Sequence, residues 1–402
     1  MARRIDEDAV LAVLLNDDSE EENFSESEPE DHLEADPAYE TEGEDEVFTV
    51  NDEQLPDEDY EASDTSPPCS TDDATPSTSA DRSDLIIRPS RTILRGKDKH
   101  KWSSQQSRSL SRTASRNIVH IRPGPVRSCK NLLEPLGCFS CFITDNMIDL
   151  IVTHTNAEIA IKSHKYKTLK STQRPTDPNE IRALIGILTL SAAMKDNHLP
   201  SRELLDTTFC GNRYRSAMSC KRFDFLINCL RFDDKSTRQE RRLTDVFAPF
   251  RDIWDLFIAK CRENYKPGCY LTIDEQLLGF RGRCPFRIYI PNKPNKYGIK
   301  IVMVVDNSTK YMVDAEPYLG SSTKTDGVPL GEYFVKKLTR TVHGTNRNIT
   351  MDNWFTSVPL AKSLVKEPYK LTLVGTLRAN KREIPVEFQN ERTRRTGTAV
   401  LL

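Results

Sequence analysis

The sequence predicts an α/β core on a mixed five-stranded sheet, preceded by an all-α domain and a disordered acidic N-terminus. Three observations carry this. Between Tyr270 and Leu377, short strand-like apolar runs alternate with two amphipathic segments in the order β-β-β-α-β-α-β. From about Cys129 to Lys266 the apolar residues recur at helical spacing instead. Finally, the formal charge of −3 conceals an acidic head on a basic body.

Residues 1–80 hold 28 acids against two bases, Arg3 and Arg4, which leaves 55 bases and 32 acids in 81–402, a surplus of +23. The head is rich in Glu, Asp, Ser and Pro and poor in aromatics, so it cannot bury enough apolar surface to order itself. It is expected to be a solubilising, disordered tail. A sharper role is a decoy that competes with nucleic acid for the basic body. Its apolar patch, Val10–Leu15, is far too short to span a membrane, and no secretory signal pattern is present. Residues 81–127 turn to Ser, Arg and Lys and read as a flexible basic linker, suited to a phosphate backbone or a nuclear address.

Residues 128–268 form the helical domain. Helices are expected over Phe142–Ala160, from Asp177-Pro178 onward, and over Met218–Arg231. A further stripe, Phe250, Ile253, Trp254, Phe257, Ile258 and Cys261, marks a buried helix face. The polar faces carry Arg213, Arg215, Lys221, Arg222, Arg231, Lys235, Arg238, Arg241 and Arg242. Each alone is an ordinary solvated residue; as a group on a body of this charge they suggest a nucleic-acid-facing surface.

Residues 269–378 form the core. Strands are expected at Tyr270–Leu278, Gly298–Val305, Tyr311–Tyr318, Asn348–Met351 and Leu371–Leu377, with helices at Leu330–Arg340 and Val358–Lys366. A right-handed crossover through the first helix can lay the fourth strand parallel to the first. Asp274 and Asp352 each interrupt an otherwise apolar strand environment, and a carboxylate there needs a cation or several donors. Adjacent strands lie ~5 Å apart, so the two Asp residues can meet at one end of the sheet. That is the ribonuclease-H-like arrangement, in which paired carboxylates hold divalent metal for phosphoryl transfer. An Asp in a strand also serves as an ordinary strand-end or salt-bridged residue, and strand order alone leaves both readings open.

The ten cysteines are scattered, which fits reduced thiols inside a cell. Cys138 and Cys141 have metal-ligand spacing but no second pair at zinc-finger distance, so no zinc is expected. The seven His are isolated, and no Ser-His-Asp, Cys-His or P-loop constellation is present.

The run from Asp274 to Arg287, the run from Pro291 to Lys300, Gly327–Tyr333, Asn348–Thr356 and Asn380–Pro385 together closely resemble the piggyBac family of DNA transposases. The likeness extends upstream through Lys195–His198 and Arg222–Leu226 and covers roughly Cys129 to Pro385. It implies cut-and-paste transposition at TTAA sites, an acidic metal-binding triad on the ribonuclease-H-like core, and Mg2+ (or Mn2+) as cofactor. It further implies a helical region for DNA binding and dimerisation, double-stranded DNA as partner, a homodimer, and a place in the nucleus. Asp274 matches the first acid of the triad and Asp352 the second. In that chemistry Arg281, Arg283, Lys293, Lys296 and Lys300 would hold the phosphate backbone. Trp354 would stack on an unpaired base, unless it simply fills core.

One departure bears on activity. The resemblance implies a third carboxylate after an inserted domain and then a Cys-rich zinc-binding end. Here the match fades after Pro385, residues 379–402 correspond to the start of that insertion, and the chain reads as C-terminally truncated. Glu383, Glu387 and Glu391 are poorly placed substitutes. The expectation is a polypeptide that alone neither cleaves nor joins DNA. The alternatives are a non-catalytic DNA-binding or dimerising transposase-derived protein, or an unrelated ribonuclease-H-type nuclease.

Overall fold

The apolar stripe at the end of the helical region becomes a helix that contacts the sheet through Arg262 and Asp314. In the computed structural model, which describes residues 93–103, 119, 121–164, 171–291 and 295–389 and the backbone of three further two-residue strands, four main helices lie before the sheet. They are Asp145–Ser163 (α1), Pro178–Ala193 (α2), Cys220–Cys229 (α3) and Ala248–Asn264 (α4). Sequence explains two of the starts. Asp177 caps α2 by accepting from the Glu180 amide with Pro178 in the first turn, and Ser219 caps α3 by accepting from the Arg222 amide. Ile159, Leu184, Ile187 and Leu226 join these helices in one cluster; Met147, Ile151, Ile181 and Ile253 join α1, α2 and α4 in another. Each such buried chain contributes roughly 1.5–3 kcal/mol.

The sheet follows. Its strands are Tyr270–Gly279 (β1), Tyr297–Asp306 (β2), Met312–Pro317 (β3), Asn348–Met351 (β4) and Thr372–Gly375 (β5). Helices Leu330–Leu338 (α5) and Val358–Leu364 (α6) provide the connections on either side of β4. The spatial order is β3-β2-β1-β4-β5, with β1, β2 and β3 antiparallel and β4 parallel to both β1 and β5. Period-two burial sets the faces: Leu271 and Ile273 of β1, Val302 and Val304 of β2, and Ile349 and Met351 of β4 all enter the core with Phe334, Leu338, Leu360 and Leu364. The α4 helix docks on β3, where Arg262 grips the fully buried Asp314 at 2.7 and 2.6 Å.

Two details differ from the sequence reading. The sheet has seven strands, because Ile288–Tyr289 pairs with β2 and Glu34–Ala35 pairs with Ile288–Tyr289 in turn. Two-residue strands are too short to leave a period in the sequence. The rest of the acidic tail lies outside the described residues. Within the expected flexible linker, Ile93–Arg95 and Lys101–Ser103 instead form an antiparallel hairpin. Leu94 is buried, and the Trp102 indole N–H donates to the Glu383 carbonyl at 2.7 Å. Gly96 lies so close to Arg382 and Glu383 backbone that a Cβ there would clash.

Asp306 closes the turn from β2 to β3. It is 1% exposed and accepts from Gly268 N (2.6 Å), Ser308 N (2.9 Å), Ser308 Oγ (2.6 Å) and Thr309 N (3.2 Å). Burial alone would raise its pKa; these donors outweigh burial and hold it below the usual carboxylate value. A depressed folded pKa stabilises fully above the unfolded pKa and is lost as pH falls through the folded value. Asp306→Ala is expected to cost about 2–4 kcal/mol at neutral pH, a deficit that narrows as pH drops below about 4. Urea melts across pH check this; a deficit that does not change with pH would rule out the charge as its origin.

Candidate active site

Asp274 sits on the outward parity of β1, exposed, with Oδ1 accepting from the Glu275 amide at 2.8 Å. Asp352 follows β4 directly. The parallel register pairs Thr350 with Thr272 and Met351 with Ile273; Asp352 and Asp274 each come one residue after the last of these pairs, on adjoining chain segments at the same end of the sheet. Asp352 is fixed by its own turn: Oδ1 accepts from Trp354 N (3.0 Å) and Phe355 N (3.4 Å), and Thr356 Oγ donates to its carbonyl at 2.6 Å. The turn packs against two glycines. A Cβ on Gly331 would come within 2.8 Å of the Trp354 carbonyl, and one on Gly375 would strike Thr356.

Neither carboxylate forms an ion pair among the described residues. Asp352 keeps an exposed surface; the desolvated part of its carboxyl pushes its pKa above the ordinary value and the Glu275 charge adds to the push, while the Trp354 and Phe355 amides and Lys300 offset part of it. A divalent cation would relieve both effects, and hard carboxylate oxygens suit Mg2+ or Mn2+. The chemistry of these two carboxyls suits such an ion. Among the described residues no three His, Cys, Asp or Glu side chains converge.

The basic residues divide. Arg281, Arg283 and Lys296 are exposed on the loops that leave β1 and enter β2. Lys293 lies outside the described residues. Lys300, expected on a phosphate backbone, is instead 1% exposed, with Nζ 3.4 Å from Glu275 Oε1. Its parity is the reason: it lies on the face of Val302 and Val304. Trp354, expected either to stack on a base or to fill core, packs at the core's edge against Phe334 and Phe355 with the Lys300 ammonium 4.5 Å from its ring centre. That cation occupies one face a base would use.

The helical region needs a similar correction. Arg222 is 5% exposed and binds both oxygens of Glu180. Arg231 pairs with Glu158, and Arg238 and Arg241 both pair with the buried Asp233. These four hold the fold together rather than face outward. Arg213, Arg215, Lys221 and Arg242 remain exposed, Arg213 beside Asp196.

A family model described as Transposase IS4 matches residues 134–400, well over half of the chain. The chain is 58% identical to a piggyBac transposase solved by cryo-EM as a synaptic complex with hairpin DNA, at a TM-score of 0.66 over 68% of this chain and 57% of that one. The chain belongs to the piggyBac family of transposases. The human piggyBac transposable element-derived protein 3 is 23% identical over 253 residues, 61% of this chain and 40% of that protein. A human chimeric ERCC6-PGBD3 protein matches at the same 23% identity over 22% of its length. The chain thus spans about half or less of the relatives it matches. The span that marks it as a piggyBac-family transposase contains Asp274, Asp352 and the exposed loop bases, and it leaves out the hairpin at 93–103. Among the described residues of this chain no helix is long and apolar enough to cross a membrane.

Proposed function

We propose that this chain carries Asp274 and Asp352 as two metal ligands of a ribonuclease-H-like site for piggyBac-type cleavage and transfer of DNA strands at TTAA sites. The observation that supports it best is the parallel register of β1 and β4, whose last pair, Met351 and Ile273, directly precedes the two Asp residues on their chain segments. When bound, Mg2+ or Mn2+ at this place supplies Lewis-acid charge to a phosphodiester and acidity to an attacking water or 3′-hydroxyl. The chain's own part is orientation. The Trp354 and Phe355 amides fix one oxygen of Asp352 and leave the other for the metal side. Arg281, Arg283 and Lys296 hold the phosphate backbone and give position rather than sequence. Double-stranded DNA is the partner, a homodimer the assembly, and the nucleus the place of action.

Among the described residues no third acid joins these two, and a pair of carboxylates holds a divalent ion weakly, so we expect no strand cleavage by the polypeptide alone. The same observation favours a second reading, a transposase-derived protein that binds DNA and dimerises without catalysis. Two measurements on purified protein test these readings. In electrophoretic shift assays, Arg281→Ala/Arg283→Ala is expected to weaken binding of TTAA-flanked duplex and flatten the salt dependence by about two in log–log slope. Unchanged affinity removes the loop from the DNA surface. Nicking of the same duplex with Mg2+ or Mn2+ would overturn the inactivity and with it the second reading.

A further inference from the structure

Lys300 is among the largest fully buried side chains, and it carries a charge into the core. Three strand-borne elements meet around it. Its own strand β2 brings it in beside Val302. On β1, Glu275 has the inward parity of Leu271 and Ile273; the register sets Glu275 against Val302 and Leu277 against Lys300, so Glu275 and Lys300 are diagonal neighbours on one face. Beyond β4, Trp354 offers its ring to the ammonium at 4.5 Å. Glu275 Oε1 takes the ammonium at 3.4 Å, while its Oε2 is buried with no hydrogen-bond partner. A buried ion pair satisfied this incompletely is poor stabilisation compared with apolar packing. What it does provide is a fixed distance between β1, β2 and the turn after β4.

That turn is the one bearing Asp352, and Trp354 belongs to both arrangements. Its ring lies under Lys300 and its amide donates to Asp352 Oδ1. Displacing the ring moves the amide, and the amide sets the carboxylate.

We propose that Lys300 is a positioning residue: its buried ammonium ties Glu275 to Trp354 and thereby seats the Asp352 turn beside Asp274. The link to metal rests on the reading of Asp274 and Asp352 as ligands; the seating of the turn does not. Hydrogen exchange of the Trp354 and Phe355 amides reads the seating without metal. Lys300→Met is expected to speed their exchange about tenfold or more while the β1 amides that pair with β2 keep their protection. Lys300→Arg, which keeps the cation, restores part of it. If Lys300→Met alone unfolds because it strands Glu275, the double variant Glu275→Leu/Lys300→Met replaces the pair with apolar chains and carries the same test. Unchanged protection of Trp354 and Phe355 in the folded variant overturns the proposal. Mn2+ titration then separates the two layers. The expected result is binding by the parent, loss in Asp274→Ala, and about tenfold weaker binding in Lys300→Met with recovery in Lys300→Arg. Parent protein that ignores Mn2+ refutes the ligand reading and leaves the seating standing; Lys300→Met that binds Mn2+ like the parent refutes the link.

Discussion

Asp352→Asn is expected to weaken Mn2+ binding by about 100-fold or more while leaving the metal-free protein at least as stable as the parent. The two effects have one origin. Asn keeps an oxygen for the Trp354 and Phe355 amides, so the turn survives. It removes a charge that partial desolvation and the neighbouring Glu275 both disfavour. A carboxylate whose folded pKa is raised costs stability once ionised, so stability falls as pH rises through that pKa, and the Asn variant escapes the fall. Isothermal titration with Mn2+ and thermal melts in chelator check the pair of outcomes. Equal Mn2+ affinity in parent and variant would remove Asp352 from the site.

The largest loss of stability is expected from Arg222→Met. Arg222 donates to both Glu180 oxygens at 2.9 and 2.6 Å and to the carbonyls of Thr172 and Arg174 at 2.8 Å. It therefore closes the segment leading into α2 onto α3. Removing it leaves the half-sealed Glu180 carboxylate with only Thr176 and the exposed Arg174. Breaking one side of such a pair costs about 3–5 kcal/mol. Replacing both partners, as Arg222→Met/Glu180→Leu, is expected to recover much of that. Urea melts decide it: a single-variant loss under 1 kcal/mol would mean the network is solvated in solution.

The course of the sheet was readable because its signals are local. The apolar period of Gly298–Val305 and the helical spacing of Leu330, Phe334 and Leu338 each announce an element without reference to anything distant. A right-handed crossover allows β4 to lie parallel to β1, and the observed β1–β4 pairing is parallel. What escaped was the fate of the cations. Lys300 shares the parity of buried Val302 and Val304, a signal present in the sequence but overridden by the habit of placing lysine outside. Arg222 gave no such sign, since its partner Glu180 stands 42 positions away in another helix. The hairpin at 93–103 stayed hidden for a related reason. Its anchors are a single leucine and a single indole, and the surface they meet is made by residues near 383.

That last contact has a topological meaning. A hydrogen bond between Trp102 and Glu383 fastens together points 281 positions apart, and most of the described residues lie within the ring it closes. A covalent staple at that clasp would restrict the unfolded chain more than any local cross-link, because the lost freedom grows with the length enclosed. Helices and sheet would then share one tether, and neither could drift from the other without first opening it.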